Sequence, residues 1–390
     1  MTESKGEKHI PAMMTSFFSN AITNINMYYS GVYAAEVLNL NSHQLGIASS
    51  ISTIVTQISQ PVWGVLSDWR NVRKYFAAIG YLIMGLMVSI TFKLQTFMQY
   101  ILITSFAWAF WAGAYTCWQA LIGDITTKRE RGKFLGALGF AGNLGGMISS
   151  LLAGQIIDLY GYELLSSLCL VFAVFSAIPL IIMKEKKNGV KAAEKKGMKW
   201  KLTMTREYKR YLAVGIGWWG IMSMAWPLFS IMQIKVFNLT KTEIGILYLT
   251  GSAVNTILSP IWGIVADRIG RKPLLLISPI FSSFWTFAYG FSENYFQILI
   301  LSLIGNVGGS ALTTISNIYL LDTIMHREQR ATLISIYNMA TGLSQALGQY
   351  IGGVLGSVLG LKETMILAGI LRLIYIVPML VLPETIEKKL

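Results

Sequence analysis

Long apolar runs recur along the whole chain and are separated by short polar segments. Since about 20 consecutive apolar residues cross the hydrocarbon core of a bilayer as one helix, each run predicts a membrane-spanning segment. Twelve runs fit this description, at residues 11–37, 43–67, 75–92, 96–121, 133–157, 163–183, 210–234, 242–266, 273–291, 294–321, 331–356 and 364–382. The pattern therefore predicts an all-α membrane protein with twelve transmembrane helices.

The composition points the same way. Hydrophobic residues make up 54% of the chain and charged residues only 13%, whereas soluble domains carry about 25% charged residues. The two cysteines and three histidines are scattered, with no metal-ligand spacing. Neither a metal nor another cofactor is expected, and no nucleophile–base set or phosphate loop suggests an enzyme.

Lysine and arginine are distributed unevenly among the segments between the runs. They concentrate in both tails and in every second loop, beginning with the loop after the second run. The other loops hold only Lys93, Lys235, Lys241 and Lys362. Because basic loops stay in the cytoplasm, we expect a multi-pass protein of the cell membrane with both termini cytoplasmic. Topology and attraction to anionic lipid then account for the net charge of +13, and no nucleic-acid partner is expected.

An internal repeat divides the chain into two halves. The segment PVWGVLSD at 61–68 returns as PIWGIVAD at 260–267, which is 199 positions later. A basic cluster follows each copy, and a second pair of related loops follows the fourth and tenth runs. Such repeats build transporters from two homologous bundles. We expect a six-helix bundle over 1–183, a cytoplasmic basic linker over 184–209 and a second six-helix bundle over 210–390.

The second copy continues as Gly263-Ile-Val-Ala-Asp267-Arg268-Ile-Gly270-Arg271-Lys272. This segment resembles the hallmark loop G-x-x-x-D-R-x-G-R-R/K of the major facilitator superfamily (MFS). The first copy departs from that pattern, because Trp69 replaces the usual Arg and Asn71 the usual Gly. The resemblance implies the MFS fold and a secondary transporter that works by alternating access between its two bundles.

The same loops imply a gate at the cytoplasmic end. A carboxylate at a helix end can meet a guanidinium and the N-terminus of another helix. By the resemblance, Asp68 would face the start of span eleven near Arg330, and Asp267 the start of span five near Arg131, when the cytoplasmic side is shut. The predicted gating residues are Gly64, Asp68, Arg70, Arg73, Arg131, Gly263, Asp267, Arg268, Arg271 and Arg330.

Polar and aromatic residues inside the runs suggest where a small-molecule substrate binds. The resemblance implies that spans 1, 4, 7 and 10 line a central cavity, with spans 2, 5, 8 and 11 beside it and 3, 6, 9 and 12 outside. Single amides often join helices, and single tryptophans often anchor at the interface, but together they suggest an uncharged, aromatic cavity. The predicted substrate-binding residues are Asn20, Asn24, Tyr28, Trp111, Tyr115, Trp118, Gln119, Trp219, Trp226, Asn255, Asn317 and Asn338.

The substrate class is left open by the sequence. A neutral polar solute such as a sugar or nucleoside fits stacking aromatics and amides. A lipophilic drug-like compound fits the same cavity, and a non-transporting membrane sensor is a remote third alternative. Leu382-Pro383-Glu384-Thr385 resembles the end of sugar porters, whereas Gly142-Asn-Leu-Gly145-Gly146 partly resembles a motif of drug–proton antiporters.

Glu36 is the candidate for proton coupling. It lies near the outer end of span 1, and no acidic residue lies near the middle of the predicted cavity-lining spans. A partly desolvated carboxylate is suited to carry a removable proton. A solvated residue at the outer mouth is the plain alternative. The expected partners are thus a small molecule, the lipid bilayer and, as coupling ion, the proton, with the chain expected as a monomer.

Overall fold

The computed structural model describes residues 3–70, 73–126, 131–183, 203–325 and 329–385. These residues form α-helices and one π-helical turn, and no strand occurs among them. The helices are α1 (Glu3–Glu36), α2 (Ser42–Arg70), α3 (Arg73–Thr91), α4 (Phe97–Ile125), α5 (Arg131–Ile182), α6 (Arg206–Ser223), α7 (Trp226–Ile231), α8 (Lys241–Ile269), α9 (Arg271–Tyr289), α10 (Tyr295–Asp322), α11 (Arg330–Val358), α12 (Leu361–Ile374) and α13 (Ile376–Met379), and the π-helical turn is Met232–Val236. Most of the predicted linker lies outside the described residues, as do the side chains of Asp68, Arg70 and Arg131.

Six helical stretches of the described chain are long and apolar enough to cross a membrane. They are 73–91, 97–123, 133–182, 206–236, 241–269 and 295–322. The expected all-helical membrane architecture is therefore confirmed. The count of twelve crossings stays a prediction.

The long helix α5 is a helical hairpin that reverses at Gly161. This glycine has φ 77°, a backbone conformation that residues with a Cβ rarely adopt. On α1, Phe18 stacks on Phe175 from the second arm of the hairpin, and a Cβ at Gly145, in the first arm, would touch Phe17. Both arms therefore lie along α1, which explains why the sequence shows two separate apolar runs here.

The predicted seventh span is broken into α6 and α7. The break falls between Ser223 and Trp226, and Pro227 follows it. Proline has no N–H and cannot close a regular helical turn. Arg372 on α12 donates from Nη2 to Met222 O beside the break. Irregular backbone at membrane depth persists only where other groups satisfy it, so Arg372 stabilises the bend.

The sequence repeat is also a repeat of backbone conformation. Asn39 (φ 54°) and Asn238 (φ 50°) are the described non-glycine residues with positive φ, and they stand 199 positions apart. Each precedes the first helix of its copy, α2 or α8. Asparagine adopts this left-handed conformation more readily than most residues, so the same turn starts the repeated segment in both halves.

The helices pack as two groups, α1–α5 and α6–α13. Within the first, α1 packs on α5 and α3 on α4; within the second, α9 packs on α10 and α6 on α11. The two groups meet where α2 packs on α11, where α5 packs on α8, and where α1 and α2 contact α7; α1 also contacts the π-helical turn. These pairs surround the space between the halves.

Candidate functional site

The two halves touch backbone to backbone at one end of the molecule, the end at which α1 finishes and α2 and α8 begin. We call this the closed end. A Cβ at Gly46 on α2 would lie 2.8 Å from Gly353 Cα on α11. A Cβ at Gly245 on α8 would lie 2.7 Å from Ser150 O on α5. Small residues permit such close approach of membrane helices, and any larger side chain here would push the halves apart.

Polar contacts reinforce the closed end. Glu36 on α1 forms an ion pair with Lys241 on α8, and Tyr162 donates a hydrogen bond of 2.7 Å to Glu36 Oε2. Asp158 on α5 accepts hydrogen bonds of 3.1 Å and 2.8 Å from the backbone N–H groups of Lys241 and Thr242. The Asp158 carboxylate therefore caps the N-terminus of a helix in the other half, where the helix dipole favours an anion.

The same helix pairs separate at the opposite end, where α2 and α8 finish. We call this the open end. A Cβ at Gly263 on α8, or at Gly136 and Gly139 on α5, would meet no heavy atom of the described chain within 4 Å. A Cβ at Gly64 on α2 would meet only Thr116 of its own half, at 3.8 Å. The space between the halves is therefore closed at one end and open at the other.

The predicted gating residues lie at the open end, and the ion pairs described for Asp267 and Arg271 stay within the second half. Asp267 is exposed and forms an ion pair of 2.8 Å with Arg271. Arg271 Nε also lies 3.2 Å from Asp322 Oδ2 on α10, and Arg268 is exposed. A link from Asp267 to the start of α5 was expected for a shut gate. The separation of α5 and α8 here explains why Asp267 pairs locally instead.

The terminal segment Pro383-Glu384-Thr385 belongs to this cluster. Glu384 accepts hydrogen bonds of 2.9 Å and 3.1 Å from the backbone N–H groups of Arg271 and Lys272. These N–H groups begin α9, which has no side-chain cap of its own. Thr385 Oγ1 donates to Asp322 at 3.1 Å. The P-E-T segment thus caps α9 and joins the repeat loop to the end of α10.

A cavity of about 500 Å³ lies between the halves. It is lined by α1, α2 and α4 from the first half and by α7 to α11 from the second. Its lining contains tyrosines, tryptophans, small hydroxyl side chains and amides, and no charged residue of the described chain lines it. The amides are Asn26, Gln57, Gln233, Asn255, Asn306, Gln345 and Gln349.

Contacts between the halves form one wall of this cavity. Tyr28 on α1 stacks on Tyr248 on α8, with ring centroids 3.6 Å apart and planes 10° apart. Tyr248 donates a hydrogen bond of 3.2 Å to Gln233. Thr53 on α2 donates one of 3.1 Å to Gln349 on α11. The Tyr28–Tyr248 and Thr53–Gln349 contacts are neutral and join the halves, so both would have to break for the closed end to open.

The predicted binding residues are only partly brought together. Tyr28, Trp226 and Asn255 line the cavity. Trp111 stacks on Tyr115 with centroids 5.2 Å apart, on the stretch of α4 that follows the cavity-lining Trp108. The remaining predicted residues lie outside the described lining: Asn20, Asn24, Trp118, Gln119, Trp219, Asn317 and Asn338. Trp118 is buried in the hydrophobic core, whereas Asn20, Gln119, Asn317 and Asn338 are exposed.

Two cavity residues come from α9, a helix that the resemblance placed outside. Trp285 and Tyr289 both line the cavity. Trp285 can come close to α10 because Gly305 on that helix has no side chain: a Cβ there would lie 2.6 Å from the Trp285 ring. The missing side chain lets the indole cross the face of α10. Position along one sequence gives no sign of such a pairing between helices.

The chain resembles known proteins in its sequence. The family model described as Major Facilitator Superfamily matches residues 11–235 and 211–389. The multidrug resistance protein MdtG of Escherichia coli (strain 55989 / EAEC) is 24% identical over 324 residues, which covers 79% of this chain and 78% of that protein.

Solved structures share the fold. The nucleoside transporter NupG superposes with a TM-score of 0.74 at 14% identity, over 96% of this chain and 98% of that one. A transporter of the POT family, solved with a thioalcohol-conjugated peptide, superposes with a TM-score of 0.78 at 10% identity, over 95% of each chain. Together with the family match along both halves, this shows that the chain belongs to the major facilitator superfamily of membrane transporters.

Proposed function

We propose that this transporter works by alternating access, with twelve membrane-spanning segments in two bundles, 1–183 and 210–390, joined by a cytoplasmic linker over 184–209. The observation that carries the proposal is the difference between the two ends. The same helix pairs touch at the closed end and part at the open end. Alternating access requires a cavity that opens to one side at a time. Rocking of one bundle against the other would exchange the two ends.

The open end is proposed to face the cytoplasm of the cell. Basic residues are concentrated in the segments that follow α2, α4, α8 and α10, all of which finish at this end. The positive-inside rule places such segments in the cytoplasm. The structure then corresponds to an inward-open state, with Glu36 and Lys241 at the outer surface.

The proposed substrate is a small neutral or amphipathic organic solute, of the size and polarity of a sugar or nucleoside. The cavity offers ring faces and amides but, in its described lining, no charge. A substrate with a fixed charge would lose its hydration there without gaining a counter-charge, which is costly. The proton remains the proposed coupling ion, with Glu36 as its carrier, and the chain is proposed to act as a monomer.

Export of lipophilic compounds is the second candidate. It is favoured by the likeness to MdtG, a protein named for multidrug resistance, and by the aromatic rings in the cavity. The two candidates differ in what binds. A carrier for a neutral polar solute should discriminate among hydroxyl patterns, whereas an exporter of lipophilic compounds should accept many unrelated apolar ligands.

The alternating-access proposal can be tested without a ligand. Spin labels at His43 and Tyr350, whose rings lie 6.0 Å apart at the closed end, report on that end. Labels at Val65 and Thr332, exposed on the same two helices, report on the open end, after the two buried cysteines have been replaced by alanine. We expect conditions that lengthen the first distance to shorten the second. Two distances that stay fixed, or lengthen together, would refute the proposal.

A further inference from the structure

We infer that the part of the cavity formed by α1, α7 and α9 is a subsite for an uncharged, flat ring that carries hydrogen-bond acceptors. The inference rests on the proposed transport function and narrows its substrate class. Two polar side chains carry it, Asn26 on α1 and Trp285 on α9. Both line the cavity, and both hold buried polar atoms without a hydrogen-bond partner among the described residues.

Asn26 differs from Asn24 on the same helix and from the cavity-lining Asn306 on α10. Asn24 and Asn306 each donate to the carbonyl four residues earlier on their own helix, at 2.9 Å and 2.7 Å. Asn26 is 0% exposed, yet neither its Nδ2 nor its Oδ1 has such a partner. A buried polar group that is left unpaired destabilises the folded protein. Because the unpaired Asn26 amide lines the cavity, it is positioned to form hydrogen bonds with a ligand that enters the cavity.

Trp285 belongs to an aromatic corner. Its ring stacks on Phe229 of α7, with centroids 5.0 Å apart and planes 15° apart. Tyr289 packs its edge on Phe229 at 5.1 Å and 82°. The Trp285 Nε1–H is buried beside these faces and has no described acceptor. The corner therefore presents flat apolar surface together with one unsatisfied donor.

Gly305 makes this corner accessible to the cavity. A Cβ at Gly305 on α10 would lie 2.6 Å from both the Cβ and the ring of Trp285. Without that Cβ the indole crosses the backbone of α10 and reaches the cavity. The glycine is thus a specificity-determining position, although its own Cα carries no functional group.

The chemistry of these groups defines the ligand. Trp285 can only donate a hydrogen bond, whereas Asn26 can both donate and accept. The stacked pairs Phe229–Trp285 and Tyr28–Tyr248 border the same cavity and favour a planar ring. No described charged residue lines the cavity to pair with an ionic ligand. An uncharged planar ring with carbonyl or ring-nitrogen acceptors meets all of these conditions.

The test measures thermal stabilisation of the purified protein by four probes, since a ligand that binds only the native state raises its stability. Uridine and caffeine each carry a flat, uncharged ring that is rich in hydrogen-bond acceptors. Glucose is uncharged but not flat, and ethidium is flat but cationic. Trp285→Phe removes the N–H and keeps an aromatic ring, and Asn26→Leu removes the amide. Trp218→Phe is the matched control, because the Trp218 Nε1 is also buried and unpartnered but lies outside this cavity.

We expect uridine or caffeine to stabilise the wild type, and each of the two variants to weaken that ligand about tenfold, as loss of one hydrogen bond does. Trp218→Phe should bind like the wild type. Without ligand, Asn26→Leu should melt at a higher temperature, because the unpaired amide is gone. The inference is overturned if only glucose or ethidium stabilises the protein, or if no probe does. It is also overturned if uridine or caffeine stabilises all variants and the wild type equally. The spin-label experiment needs no ligand, so failure of the transport proposal is recognised separately.

Discussion

At the scale of single residues, Arg372 stands out because it is the one charged residue that is buried in the described part of the chain. Its side chain is 1% exposed and donates to Met222 O and to Thr286 Oγ1. The described partners are all neutral. A buried guanidinium is costly in a membrane, and its hydrogen bond beside the α6–α7 break indicates that the break needs a donor from α12.

Replacing Arg372 with lysine tests this assignment. Arg372→Lys keeps the charge, but one ammonium on a shorter stem cannot reach acceptors on α6 and α9 at once. We expect the free energy of unfolding to fall by about 1.5–3 kcal/mol, the worth of one hydrogen bond to a charged group. Thermal melting in detergent measures the change. Arg206→Lys, at an exposed position on α6, is the control and should melt like the wild type. Equal melting of Arg372→Lys and wild type would contradict the role of Arg372.

At the scale of helices, the N-terminal ends of α8 and α9 are each capped by a carboxylate from another segment of the chain. Asp158 caps α8 from the other half of the molecule. Glu384 caps α9 from the terminal segment of the same half. The first contact joins the two bundles, whereas the second stays within one bundle. Loss of Asp158 should therefore affect the gate, and loss of Glu384 should affect local stability.

The cap on α9 gives a quantitative prediction. Glu384→Ala leaves the first N–H groups of α9 without a carboxylate, which should cost about 0.5–2 kcal/mol. Amide hydrogen exchange in the first turn of α9 should become several-fold faster. Glu163→Ala removes an exposed carboxylate from α5 and is the matched control. Unchanged exchange at the start of α9 in Glu384→Ala would show that the P-E-T segment does not cap this helix in solution.

Much of the helical architecture could be predicted from the sequence, and the reasons are local. Apolar runs, the repeat and the loop around Asp267 can all be recognised in a single chain. The α6–α7 break could not be predicted, since Pro227 alone is also found in continuous membrane helices. Neither could the ion pair of Glu36 with Lys241 or the approach of Trp285 to Gly305. Each joins residues that only the packing of helices brings together.

At the scale of the whole molecule, the sequence predicts that Glu36 carries a proton, and the structure places Glu36 in an ion pair between the halves. The two roles are compatible, because protonation of Glu36 would remove the pair with Lys241. Proton coupling stays a prediction. The pair is partly exposed, with 17% and 32% of the two side chains accessible, so its contribution to closure is modest.

Glu36→Gln tests both roles. Loss of a partly exposed pair of at most about 1 kcal/mol should shift the balance between closed and open conformers up to roughly fivefold, toward opening of the closed end. The His43–Tyr350 label distance measures this shift. In proteoliposomes, proton-driven accumulation should disappear while downhill exchange persists, because the amide resembles the protonated acid. Glu293→Gln, exposed near the same end, is the control. Accumulation that survives in Glu36→Gln would refute proton coupling through this residue.

The glycine contacts at the closed end bear on ion leakage across the cell membrane as well as on the proposed transport cycle. Where Gly46 meets Gly353 and Gly245 meets Ser150, backbone lies against backbone, and no water molecule fits between the two helices of either pair at these contacts. A chain of water molecules would conduct protons and small ions down the membrane potential. A carrier with such tight contacts acts as an electrical insulator when no solute is bound. Many copies can then be present in one membrane without dissipating the proton gradient that is proposed to drive transport.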